Sequence, residues 1–348
     1  MKPLLVLLPM LGWAQNAPPL FTATTNNVVV DVAVTGDQHP VQGLTREDFV
    51  LLDNGHAVVI EGIAQEQVPL DVVLICQVPL RGFLARVRTT VPEGGAGGLL
   101  PNPSDLVSLP PTFAHGDPQR LMNAAANAVV GMRAGDRVAM VTYGRDPHIA
   151  LRFTGDRKAV ASGIKRLGDP ENGDDNIVLT SEGLAIEYAV RLLGDAEKDE
   201  AHAPASRRRL IILISSANGS GTHYADEPII RRLWDRNIVL SAIDAGPPTA
   251  ATTHVERSTG GESQTILFQR FNPVRIAQAT GGNRIVAVDP QDPGDLLTSI
   301  RQRYTLWFPQ PSDLAPGEAR TLKVDLSPAA RLRFPDAVVR AREGYVTH

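Results

Sequence analysis

The stretch Asp71-Val72-Val73-Leu74-Ile75-Cys76 constrains this chain most. A half-exposed strand alternates apolar and polar residues, and this run does not. An apolar run of this length reads as a strand buried on both faces. Such strands belong to parallel sheets covered by helices on each side. The carboxyl end of such a strand is where an open α/β sheet places its binding crevice. Here that end reads Cys76-Gln77-Val78-Pro79-Leu80.

Beyond this strand the chain alternates strand and helix. Arg137–Tyr143, Ile149–Phe153, Leu210–Ile214, Ile238–Ile243 and Ile285–Val288 read as further strands. Asp117-Pro118 begins a helix with Asp as N-cap and Pro at the first position, its inner face lined by Leu121, Ala124, Ala125, Ala128, Val129 and Met132. Asp156 caps a second helix through Leu167. Others are expected over Leu184–Leu193, Pro228–Arg236, Pro273–Thr280 and Pro293–Arg303, the third of these ended by Gly281-Gly282. This rhythm implies α/β architecture: a doubly wound, mostly parallel sheet. Two long loops, Arg81–Gly116 and Asp244–Asn272, leave carboxyl ends of strands and so share one rim. Loops of this length are functional or mobile more often than packed.

The two ends of the chain are β in character. Val28, Val30, Val32 and Val34 recur with the period of a strand, and Asn54-Gly55 between short apolar runs is a hairpin signal. Tyr304–Pro309, Arg320–Leu326 and Val338–Tyr345 are strands at the other end, with Pro311–Gly317 as a turn-rich link. Neither set alone gives a convincing core. The segments 20–68 and 304–348 are expected to pair into one β-sandwich, with the α/β domain 69–303 inserted between them.

Net charge is -4, which offers nucleic acid nothing. Arg207-Arg208-Arg209 is the one basic run and reads as a solvated strand entrance. A single cysteine rules out an intramolecular disulfide, and Cys76 reads as a small buried core residue. Lys2, the apolar Leu4–Leu11 core and the small residues Gly12 and Ala14 make 1–14 a signal peptide, too short for a permanent anchor. A secreted or periplasmic location is expected, and no later stretch is long enough for a transmembrane helix. The histidines show no metal-ligand spacing, no Gly-x-Ser-x-Gly elbow comes after a strand, and the glycines at 94, 95, 97 and 98 lack a P-loop lysine. Neither catalysis nor a cofactor is expected.

Three places together resemble a von Willebrand factor A domain: the Asp71–Cys76 strand, the Arg207–Ser216 strand and loop, and Ala277-Gln278-Ala279-Thr280-Gly281-Gly282, similar to that family's late A-x-x-T-G-G. The mature chain as a whole resembles the "VWFA-related" family common in Acidobacteria. At the amino end Val30, Val32, Val34, Pro40, Val41, Gly43, Leu44, Asp48, Phe49, Leu51 and Gly55 carry that likeness. At the carboxyl end Tyr304, Leu306, Phe308, Arg320, Leu322, Lys323, Val324, Ala341, Arg342, Gly344 and Tyr345 do.

The resemblance implies a metal-ion-dependent adhesion site, opened in the family by Asp-x-Ser-x-Ser. Here Cys76, Val78 and Leu80 stand at those positions, and Ser216 replaces the aspartate of a later loop. Thr180 aligns with the family's threonine and reads equally as a plain N-cap. Asp174, Asp175 and Asp244 read as turn or solvated-loop residues. A degenerate site without metal is expected, a weak divalent cation staying open. The family's mode of action implies a non-enzymatic module that grips a protein through its rim, at Gln77, Asn218, Ser220 and Asp244. The alternative is a structural spacer in an envelope or extracellular assembly.

Cleavage after about Ala14 is expected on export. Amino-terminal sequencing of the exported protein checks this, and intact Met1 on soluble cytoplasmic protein overturns it.

Overall fold

The computed structural model describes residues 27–37, 39–78, 118–144, 146–169, 182–199, 207–215, 225–245, 272–286 and 296–348. The amino-terminal part forms β1 (Asn27–Gly36), β2 (His39–Pro40), β3 (Phe49–Asp53), β4 (His56–Val58) and β5 (Gly62–Ala64). The middle runs β6 (Leu70–Gln77), α1 (Pro118–Ala128), β7 (Arg137–Tyr143), β8 (Pro147–Thr154), α2 (Arg157–Arg166), α3 (Glu182–Asp199) and β9 (Arg208–Ser215). It continues through α4 (Asp226–Asp235), β10 (Ile238–Asp244), α5 (Pro273–Ala279), β11 (Arg284–Val286) and α6 (Leu296–Arg301). The chain ends with β12 (Tyr304–Pro309), β13 (Ala319–Leu326), α7 (Pro328–Arg333), β14 (Val338–Arg340) and β15 (Gly344–Val346).

All residues of β6 are buried. The reason is its place inside a sheet ordered β11-β10-β9-β6-β7-β8. Side chains alternate across a strand, so successive residues of β6 serve opposite layers. Val73 and Ile75 meet Ala185, Ala189, Ile230, Leu233 and Ile276 from α3, α4 and α5. Val72, Leu74 and Cys76 meet Leu121, Ala125, Val160, Ile164 and Leu297 from α1, α2 and α6. With two apolar faces to fill, the run has no place for alternation. The pairings of β6, β7, β9, β10 and β11 are parallel. β8 closes one edge antiparallel to β7, with irregular register.

Local signals acted where they stood. Asn54 and Gly55 take φ of 47° and 83°, the paired positive values a two-residue hairpin turn needs. Asp156 caps α2 by accepting from the Lys158 amide at 2.8 Å. Two expectations differ. Val338–Tyr345 holds two short strands in different sheets, with the buried Arg342 between them. The helix α7 was unforeseen, although Ser327 caps it and Pro328 opens it, both ordinary start signals.

The strands outside the middle form two smaller sheets, β14-β1-β12-β5, with β2 on β1, and β15-β13-β3-β4. Each draws strands from both ends of the chain: Val30 pairs with Leu306, and Leu51 with Val324. Their inner residues form one cluster, including Val30, Val32, Phe49, Leu51, Tyr304, Phe308, Leu322 and Tyr345. Phe49 meets Tyr304 edge-on, ring centres 5.4 Å apart.

The other face of β1 meets the central sheet, and here the expected solvated arginine run is overturned. Arg208 is 6% exposed. Its Nε donates to Asp31 of β1 at 3.2 Å. Its Nη atoms donate to the carbonyls of Ile300, Arg301 and Arg303 and to the Thr305 hydroxyl. Arg207 binds Asp71 at 2.7 Å. The run is a cation anchor, because its acceptors arrive from β1, α6 and β12, far away in sequence. The Thr280-Gly281-Gly282 stretch completes this joint. The Thr280 hydroxyl accepts from the Leu240 amide and donates back to the Ile276 carbonyl, both at 3.0 Å. A Cβ on Gly282 would stand 1.7 Å from the Leu240 carbonyl oxygen, so only glycine permits that approach.

Asp31→Asn leaves the Arg208 cation buried without its counter-charge. The expected cost is about 3–5 kcal/mol, read from the urea-unfolding midpoint. A change below about 0.5 kcal/mol would remove this pair from the joint's energetics.

Candidate functional site

A doubly wound sheet opens a crevice where its strand order reverses. Here the order runs from β6 to β7 on one side and from β9 to β10 on the other. The crevice therefore lies over the carboxyl ends of β6 and β9. Gln77 and Ser215 end those strands, and the Ser215 hydroxyl donates to Gln77 Oε1 at 3.5 Å. Both are buried.

Further polar groups join them. Tyr143 ends β7 opposite Gln77 and is fully buried. Burial pushes its hydroxyl well above the usual tyrosine range, and the nearby Glu182 carboxylate adds to the rise. Glu182 opens α3 and is 2% exposed. The positive end of a long helix favours a carboxylate in its first turn. Asp244 ends β10 opposite Ser215, its carboxylate 3.9 Å from Arg284 of β11. The floor is thus amide, phenol, hydroxyl and carboxylate, set in the walls of a rigid sheet. It can donate and accept hydrogen bonds. Cys76 supplies no nucleophile to it, because burial pushes the thiol up to about 12.

Of the residues singled out from sequence, the structure brings Gln77 and Asp244 to this end of the sheet. Cys76 faces the α1 and α2 layer within the core. Val78 extends the ladder, its amide donating to the Tyr143 carbonyl at 2.8 Å. Leu80, Thr180, Ser216, Asn218, Ser220, Asp174 and Asp175 lie outside the described residues, as do both long loops apart from Asp244, Ala245 and Asn272. Tyr143 and Glu182 were missed. Tyr143 read only as the end of a strand, and Glu182 only as part of a helix entry. The available signal was an acidic residue in the first turn of a helix packed on the sheet.

A hard divalent cation of the adhesion-site kind needs oxygen ligands. The described first-loop positions do not fit one: Cys76 holds a protonated sulfur inside the core, and Val78 has no side-chain donor. Among the described residues no three His, Cys, Asp or Glu side chains gather to hold a metal.

One match to a family model agrees with this architecture. Residues 115–219 match the model of the von Willebrand factor type A domain. No curated protein matches the chain. Similar solved structures include an aerotolerance-related membrane protein from Bacteroides fragilis, at 16% identity over 67% of this chain and 97% of that one, TM-score 0.39. Manganese-loaded TRAP protein from Plasmodium vivax is 12% identical over 85% of this chain and 98% of that one, TM-score 0.38. A von Willebrand factor type A protein from Catenulispora acidiphila is 10% identical over 94% of this chain and 74% of that one, TM-score 0.38. The stretch from just before α1 to just past β9 is thus similar to the von Willebrand factor type A domain, and it is set in an α/β sheet whose β6 lies outside the match.

Proposed function

We infer that this chain is an exported, non-catalytic protein-binding module that captures a protein partner at the rim of its α/β domain without a bridging metal. One observation carries the reading. The polar crevice of Gln77, Tyr143, Glu182 and Ser215 sits at the carboxyl ends of the strands, while the buried joint to β1 and β12 sits at the amino end, around Arg208. The flanking strands hold the domain from below and leave the rim to a partner. Von Willebrand A domains act as adhesion or interaction modules through that rim, and the matched stretch includes β9 and the residues just after it.

In this reading the domain spans 69–303, and 20–68 with 304–348 make a two-sheet sandwich that presents it. Gln77, Asn218, Ser220 and Asp244 make the partner-binding rim. Loop shape and hydrogen bonds give recognition. The apolar Val78 and Leu80 and the core-facing Cys76 stand where a metal site would draw its oxygens. Export would result from the apolar amino terminus. Among the described residues no helix is long and apolar enough to cross a membrane.

A pull-down from the native envelope, with the mature chain as bait, identifies the partner. Asn218→Ala with Ser220→Ala and Asp244→Ala is expected to weaken capture at least about tenfold, with stability unchanged. Capture that survives those changes and is lost on altering the flanking strands favours the spacer role instead. Calorimetric titration of the chelator-stripped protein with Mg²⁺ and Mn²⁺ is expected to show no saturable binding below about millimolar, since the hydroxyl and carboxylate ligands such ions need are replaced. Saturable binding that disappears in Thr180→Ala overturns metal independence.

A further inference from the structure

Among the described residues, the joint beneath the central sheet holds more positive charge than its protein partners neutralise. Arg208, Arg303 and Arg342 are all buried there, Arg303 at 1% exposed. Asp31 is the carboxylate that acts on each of them. Its Oδ1 is engaged by Arg208 Nε and by the Thr305 hydroxyl. Arg208 itself is saturated by that carboxylate, three carbonyls and Thr305.

The other two guanidiniums are not saturated. Arg303 donates from Nη2 to the Gly281 carbonyl at 2.7 Å, and among the described residues its Nε and Nη1 have no partner. Arg342 donates to the carbonyls of Trp234 and Val29, and among the described residues its Nε has no partner. Burial lowers both groups to about 10, which leaves both cationic at neutral pH. Orphaned N–H groups and unneutralised charge each cost free energy in a buried site. A water molecule satisfies donors and leaves the charge. An anion does both.

Packing limits its size. The Arg303 guanidinium reaches Gly281, where the backbone is closely packed: an added Cβ would lie 2.7 Å from the Ala341 carbonyl carbon and 2.9 Å from the Arg342 backbone nitrogen. Backbone packed this closely accommodates a single atom more readily than a phosphate ester. We propose that a monovalent anion of halide size binds at this joint, against the free N–H groups of Arg303, with the neighbouring Arg208 supplying the second positive charge. The anion staples the central sheet to β1 and β12. This site is at the end of the sheet opposite the rim and stands independently of the binding reading.

Thermal unfolding of the full chain in chloride, against gluconate at constant ionic strength, tests it. Tm is expected to rise roughly 2–4 °C per tenfold increase in chloride, with no rise in gluconate. Arg303→Lys keeps a cation while removing Nε and Nη1, and is expected to abolish the chloride dependence. Should that variant not fold, wild-type crystals grown in bromide decide the matter, with an anomalous peak expected beside Arg303 Nε. Equal Tm in the two salts, a chloride dependence retained in Arg303→Lys, or a joint holding water and no bromide overturns the proposal.

Discussion

The buried pair of Arg208 and Asp31 is the contact on which the arrangement of this molecule depends. It joins the first residue of a central parallel strand to the outer face of β1, 177 positions away in sequence. A buried ion pair contributes little net stability against an apolar pair of the same volume. What it contributes is selection. A guanidinium with its donors committed to one carboxylate, one hydroxyl and the carbonyls at the end of α6 permits one docking of the two parts. Sliding β1 by one residue would present Val30 or Val32 in place of Asp31 and strand the charge.

That docking also explains where chemistry can occur. The amino ends of the central strands are occupied by charge pairs: Asp71 with Arg137 and Arg207, and Asp136 with Arg301. These pairs fix the base of the sheet. The carboxyl ends carry neutral and acidic polar groups instead, gathered from four strands and one helix. A sheet held rigidly at one end and polar at the other presents its loops on a stable platform, as recognition by loops requires.

Much of the fold was legible because the relevant forces are local or periodic. The β6 run, the Asn54-Gly55 turn and the Asp156 cap each carry their cause within a few residues. The arginine run was misread because its cause is not local. Three adjacent arginines are ordinarily solvated, and nothing near them in sequence announces Asp31, Asp71 or the carbonyls of α6. The crevice was half legible for a related reason. Gln77 and Asp244 stand at strand ends, where topology points. Tyr143 and Glu182 matter because of what packs over them, and hydrophobic period alone does not reveal a buried phenol beside a buried carboxylate.

The pairing of β1 with β12 has a consequence for how the chain reaches this state. Thr305 must find Asp31 across 274 residues. The entropy of closing a loop rises with the logarithm of its length, and contacts this distant form slowly in a chain still disordered between them. Once the parallel sheet has formed, β6 within it and α6 against it are fixed, and only residues 37–69 and 302–303 still separate β1 from β12. The central domain then works as a clasp for its own flanks: it folds on nearer contacts and delivers the two ends of the chain to each other.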